Sequence, residues 1–160
     1  MKTIKMNKVL IALDYNPTAE KIAEVGFSLA KAMDAEIILL HIISTPVDYA
    51  STDYDTIMGF GGFVNIDSYK PDIQLLTDSA LDFLTNVKKH LGDSKIKILV
   101  KEGDYAGIIL ETANSSRADI IVMGSHSKKW LETILLGSTT QEILNQTNIP
   151  LLIVPTKKKK

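Results

Sequence analysis

The sequence predicts an α/β domain: one doubly wound, five-stranded parallel sheet in strand order 3-2-1-4-5, with helices on both faces. Three observations carry that expectation. Short aliphatic runs, "KVLIAL", "EIILLHII", "KIKILV", "ADIIVMG" and "IPLLIVP", recur along the chain. Between them lie segments whose apolar residues repeat at helical spacing. Most of the runs are apolar at consecutive positions, which marks strands buried on both faces, as in a parallel sheet covered by helices. Right-handed crossovers then leave few topologies. A length of 160 residues suits one domain with a core of its own.

Each element has its own signal. Lys8–Leu13 reads as the first buried strand. Asn16-Pro17 predicts a helix start, with Asn16 as N-cap and Pro17 in the first turn. Ile22, Val25, Gly26, Leu29 and Met33 give that helix one apolar face. Glu36–Ile43 is the second strand. The next helix spans Asp72–Leu91, with Ile73, Leu76, Ala80, Phe83, Leu84, Val87 and Leu91 along one side and Gly92 as its stop. Lys95–Val100 alternates with period two and is the third strand. Asp104 caps a helix running to about Ser115, and Ala118–Gly124 is the fourth strand. Ser138 with Gln141 makes a capping box for a helix to about Asn145, and Ile149–Pro155 is the final strand. The domain is expected to cover residues 1–156, followed by a solvated basic tail at 157–160.

Composition narrows the function. A net charge of −1 gives no reason to expect nucleic acid or an anionic membrane as partner. A chain without cysteine has no disulfide and no thiolate chemistry. The apolar runs are too short to span a bilayer, and "MKTIKMNK" lacks the apolar stretch and cleavage site of a secretory signal. A cytoplasmic location is therefore expected. Three scattered histidines show no metal-ligand spacing, and no carboxylate, serine or cysteine stands in an evident relation to His126. Neither a catalytic centre nor a metal site is expected.

The ligand expectation comes from topology. Doubly wound sheets take ligands beyond the carboxyl ends of their strands, where the strand order reverses. In the expected order that point falls between strands one and four, which brings Asp14 beside the loop after strand four. That loop starts at Gly124, and Gly137-Ser138 opens the last helix thirteen residues further on. A glycine where the chain leaves a strand, the free amides and positive end of a helix, and the hydroxyls of Ser138 and Thr139 are the parts of a phosphate cradle. Asp14 can hydrogen-bond ribose hydroxyls, as an acid does in dinucleotide folds. Each part also has a plainer use, as turn glycine, N-cap serine or helix-capping aspartate.

The segment "GSHSKKWLETILLGSTTQEIL", after "ADIIVM" and before "IPLLIV", resembles the universal stress protein family. The resemblance extends over nearly the whole chain. "KVLIALDYNPTAEKIAEVGFSLAKAMDAEIILLHII" matches the family's first strand, helix and second strand, and the Gly103 turn fits as well. It implies a Rossmann-like fold of the adenine nucleotide hydrolase-like kind. It also implies ATP, with or without magnesium, as a regulatory ligand in the stress response. A homodimer paired through the C-terminal edge strand follows from the same resemblance, and an apolar edge strand needs such a cover.

ATP-binding members carry a glycine, two residues, a glycine, nine residues, then glycine with serine or threonine. Here those positions are Gly124, Ser127, Gly137 and Ser138. By the same resemblance Asp14 contacts the ribose, and backbone near Ala12 and Ile42 meets the adenine. Gly124, Ser125, His126, Ser127 and Lys128, with Gly137, Ser138 and Thr139, hold the phosphates. Ser127 is the departure. Where the backbone must be left-handed, a serine costs roughly 1–2 kcal/mol, about tenfold or somewhat more in affinity. Its Cβ can also block close backbone approach, while Lys128 and Lys129 add positive charge beside the phosphates. The alternative is a member that has lost the nucleotide and works as a dimeric interaction module.

Two further features stand out. Ser44–Lys70 holds Tyr49, Tyr54, Phe60, Phe63 and Tyr69, five of a total of one Trp, five Tyr and four Phe. A segment this long is usually functional or disordered, and its aromatics argue against disorder. It is either a flap packed over the core, or a lid over the nucleotide or a surface for a protein partner. Trp130 either packs on a neighbouring helix or anchors a partner. His41, inside the second strand, reads as a satisfied, half-buried residue.

Overall fold

The structure, a computed structural model, describes residues 1–44, 72–125 and 137–156. In chain order its elements are β1 (Lys8–Ala12), α1 (Ala19–Met33), β2 (Glu36–Ile43), α2 (Ile73–Leu91) and β3 (Lys97–Glu102). They continue with α3 (Tyr105–Ser116), β4 (Ile120–Gly124), α4 (Ser138–Gln146) and β5 (Leu151–Val154). All strand pairs are parallel and the order is β3-β2-β1-β4-β5, as the sequence predicts.

The alternation of side chains along each strand divides the core into two layers. Val9, Ile11 and Leu13 of the first strand region join Ile37, Leu39, Val122 and Val154 under α1 and α2, against Ile22, Ala23, Ala30, Leu84 and Val87. Leu10, Ile38, Leu40, Ile42, Ile121 and Met123 point the other way, against Ala106, Ile109 and Ala113 of α3 and Ile143 of α4. Val9, Leu10 and Ile11 are 0% exposed. Burying three such side chains is worth roughly 1.5–3 kcal/mol each, together comparable to the net stability of a domain.

Two devices fix β1 against β4. The Asp119 carboxylate accepts the backbone amides of Asn7 at 2.7 Å and Lys8 at 3.0 Å, while the Asp119 amide donates to the Lys8 carbonyl at 2.9 Å. These bonds set the register in which Ile11 lies beside Val122. On the α1 side, a Cβ at Gly26 would stand 2.6 Å from Ile11 Cδ1 and 3.3 Å from Val122 Cγ1. The missing side chain lets α1 settle into the seam between the two strands.

Several local expectations need correction. α1 begins at Ala19, not at Pro17. The Asn16 side chain accepts the Thr18 amide at 3.0 Å and its hydroxyl at 2.8 Å, so Asn16 builds a turn ahead of the helix rather than capping it. Val25 is 36% exposed and drops out of the expected face; Ala19, Ile22, Ala23, Gly26 and Ala30 are the buried residues of α1, and Leu29 and Met33 pack against the core part-buried, as expected. The capping box at Ser138 does not form, because Gly137 and not Ser138 is the N-cap of α4. β3 runs from Lys97 to Glu102, two residues beyond the expected span.

Other expectations hold. Asp104 accepts the Gly107 amide at 2.8 Å, and Gly92 ends α2 at φ 71°. α1 and α3 end on left-handed Asp34 and Arg117, residues that carry no stop signal in sequence. Among the described residues no helix is long and apolar enough to cross a membrane.

Asp119→Ala is expected to destabilise the protein by about 1–2 kcal/mol, since two strand amides lose a charged acceptor. Urea denaturation measures the loss; an unchanged midpoint would show that the clamp is idle.

Candidate functional site

The reversal of strand order at β1 leaves the carboxyl ends of β1 and β4 side by side. Leu13 still pairs with β2, its amide donating to the Leu40 carbonyl at 2.9 Å. The chain then turns out of the sheet. Asp14 accepts the Asn16 amide at 3.2 Å and stays part-exposed, so it opens a turn and does not cap α1. Ala12 and Ile42, on the α3 and α4 side of the sheet, pack into one apolar cluster, Ile42 buried and Ala12 half-buried.

At the end of β4 the glycine has a structural reason. A Cβ on Gly124 would lie 2.7 Å from Ile22 Cδ1 and 2.9 Å from Thr156 Cγ2. The close approach of α1 favours a glycine here with or without a ligand, since a Cβ would push the ends of the Ile22 and Thr156 side chains aside. Ser125 is also engaged inside the protein: its amide donates to the Val154 carbonyl at 2.9 Å, and its hydroxyl accepts the Thr156 amide at 3.2 Å.

The amino end of α4 is docked onto this strand end. Buried Thr140 donates its hydroxyl to the Gly124 carbonyl at 3.4 Å. The first intrahelical bond runs from the Gln141 amide to the Gly137 carbonyl at 3.0 Å, so the amides of Ser138, Thr139 and Thr140 precede the ladder. Asp72 and Asp104 cap α2 and α3; the two helices beginning at the switch point, α1 and α4, have no such side-chain cap bond. The positive ends of two helix dipoles therefore border the place where β1 and β4 end.

His41 is the residue that sequence reasoning undervalued. It is 4% exposed, not half-buried, and its Nδ1 lies 2.8 Å from the Leu13 carbonyl. Its ring sits 4.4 Å from that of Tyr15 and 5.7 Å from that of Phe83. Burial pushes the imidazole below its ordinary range, against the weaker opposing pulls of the Leu13 bond and the Asp14 charge. His90, between α1 and α2, does the reverse: its hydrogen bond to Glu24, at 2.8 Å, raises it, helped by the charge of Glu20. The only advance signal for His41 was a histidine inside an otherwise aliphatic strand.

His126, Ser127 and Lys128 lie outside the described residues, as do Lys129, Trp130, positions 45–70 of the aromatic segment, and the tail. A surface groove lined by Thr85, Lys88, Lys89, Gly92 and Ile98 lies at the opposite edge of the sheet, where α2 ends and β3 begins. Its carboxylate, Asp93, is already paired with Lys31. Among the described residues no three metal-binding side chains come together.

The sequence profile of the universal stress protein family matches residues 5–155. The chain belongs to the universal stress protein family. Universal stress protein MJ0577 of Methanocaldococcus jannaschii is 32% identical over 97% of this chain and 98% of its own length. The solved structure of MJ0577 superposes with a TM-score of 0.73 at 28% identity, covering 98% of this chain and 100% of the other. A universal stress protein crystallised with cAMP aligns with a TM-score of 0.65 at 17% identity, over 96% of this chain and 100% of the other. One from Archaeoglobus fulgidus in complex with dAMP gives 0.59 at 15%, over 94% and 98%. At those two identities the likeness is one of fold. A universal stress protein thus has its parallel sheet, its order reversal and its family membership in agreement.

An NMR pH titration of the ring resonances is expected to place the His41 midpoint below 6.5 and the His90 midpoint above it. The two act oppositely on stability. His41 takes up its proton more readily when unfolded, so stability falls as pH drops below about 6.5. His90 binds its proton more tightly when folded, so its contribution is complete below that pH and fades as pH rises through its raised value. Midpoints in the reverse order would contradict both environments.

Proposed function

We propose that this universal stress protein binds ATP at the carboxyl edge of the sheet, between β1 and β4, and that occupancy serves as a regulatory signal rather than a catalytic step. One observation carries the reading: Asp14 leaves β1 beside the strand end on which the uncapped amino end of α4 is docked. Asp14 would hold the ribose, with Ala12 and Ile42 bordering the base. The amides of Ser138, Thr139 and Thr140 and the hydroxyls of Ser138 and Thr139 fit a phosphate, which needs donors and a helix dipole. Gly137 and Gly124 frame that space, and His126, Ser127 and Lys128 would close it from the loop. Magnesium would accompany the phosphates.

Support also comes from relatives. The family neighbours that carry cAMP and dAMP share this fold. We place the protein in the cytoplasm as a homodimer joined through β5, whose Leu151, Leu152 and Ile153 are half-buried. Sedimentation at micromolar concentration is expected to give twice the 17.6 kDa chain mass; a monomer would overturn the pairing.

A second reading has one observation in its favour. The Ser125 amide is spent on the Val154 carbonyl and its hydroxyl oxygen accepts the Thr156 amide, so the backbone N–H of the first residue after Gly124 is not offered to a cradle. Together with serine at position 127, this suits a dimeric interaction module without nucleotide. Calorimetric titration of nucleotide-stripped protein separates the two. The ATP reading expects saturable binding of Mg-ATP, none of Mg-GTP, and roughly tenfold tighter ATP binding in Ser127→Gly. No heat up to millimolar ATP in either protein selects the interaction module.

A further inference from the structure

We infer that His41 is a positioning residue for the nucleotide site: by holding the Leu13 carbonyl it sets the turn from which the Asp14 carboxylate is presented. The inference rests on the reading of Asp14 as the ribose contact and adds the device that keeps it in place. β1 pairs with β2 as far as Ala12 beside Leu40, and the Leu13 amide makes one more bond, to the Leu40 carbonyl. In a continuing parallel ladder the Leu13 carbonyl would next meet a backbone amide of β2. Instead the His41 ring nitrogen meets it at 2.8 Å, and the chain leaves the sheet at this point. The next residue is Asp14, whose carboxylate folds back onto the Asn16 amide at 3.2 Å.

The ring that makes this bond is packed between two others. Tyr15 covers it at 4.4 Å and Phe83 of α2 borders it at 5.7 Å, and those two rings touch each other at 5.0 Å. His41 therefore joins β2, the first turn after β1 and α2 through one side chain. A buried donor in a low-dielectric setting has strong reason to keep its acceptor. The bond constrains the backbone one residue before the carboxylate, without touching the ligand.

Two variants and two nucleotides test this. His41→Leu removes the donor but keeps an apolar side chain, and His41→Asn keeps an amide hydrogen close to where Nδ1 stands. With ATP, His41→Leu is expected to bind roughly five- to tenfold more weakly than the native protein, and His41→Asn within about twofold of it. With 2′,3′-dideoxy-ATP, which has no ribose hydroxyls for Asp14, His41→Leu is expected to stay within about twofold of native. Equal losses for both nucleotides, equal losses in both variants, or no loss would overturn the assignment.

If the native protein binds neither nucleotide, the ATP reading fails, and amide exchange still decides the positioning claim. The Asn16 amide should then exchange about tenfold faster in His41→Leu, relative to core amides such as that of Leu84, and near the native rate in His41→Asn. An unchanged Asn16 rate in His41→Leu would show that the ring does not hold the turn.

Discussion

The rest of the structure depends on the burial of β1. Val9, Leu10 and Ile11 expose nothing on either face of the sheet, so a layer of helices must cover both sides. β1 must also have a strand on each flank, β2 on one and β4 on the other. A chain that winds outward from β1 in one direction, then returns to wind in the other, satisfies both demands. The consequence is a reversal of strand order, and with it a gap between successive crossovers at the carboxyl ends of β1 and β4. Asp119 at one end of this seam and the bare Cα of Gly26 along it hold the two strands and α1 in register. The site is a by-product of covering β1.

That explains how much could be read in advance. Consecutive apolar positions in "VLIAL" and "IILLHII" reveal two-sided burial, and two-sided burial in a βα alternation nearly dictates the topology. Local boundaries were less legible because several are set by groups without a sequence signature. Asn16 resembles an N-cap, yet its side chain turns the chain one step earlier, toward Thr18. Asp34 and Arg117 end helices in left-handed backbone that sequence patterns assign to glycine or asparagine. Ser138 has the spacing of a capping box, but Gly137 takes the cap position, and the serine becomes the first helical residue. His41 could be placed in a strand, but nothing in sequence reveals that its acceptor is the Leu13 carbonyl, far away along the chain.

Gly124 shows why a motif match and a functional assignment differ. The glycine stands at the motif position, and the packing of Ile22 and Thr156 favours it independently of any ligand. Ser125, next in line, closes the β4–β5 edge. The described half of the site is therefore a rigid frame: a turn held at Leu13 and Asp14, a glycine pressed by α1, and a helix end docked by Thr140. Family membership agrees with the frame, and the question of the ligand turns on the amides of Ser138 and Thr139, which precede the helical ladder.

The central claim is that this frame, and no other surface, receives the nucleotide. The most direct test is to follow the backbone amide resonances of the native protein while Mg-ATP is added. The account predicts that the largest shifts fall on Leu13–Asn16 and Gly137–Thr140, the two strand and helix ends that border the switch point, while the groove at Lys88–Asp93 stays silent. Shifts centred on that groove or on the β5 edge, or none at saturating ATP, would contradict it.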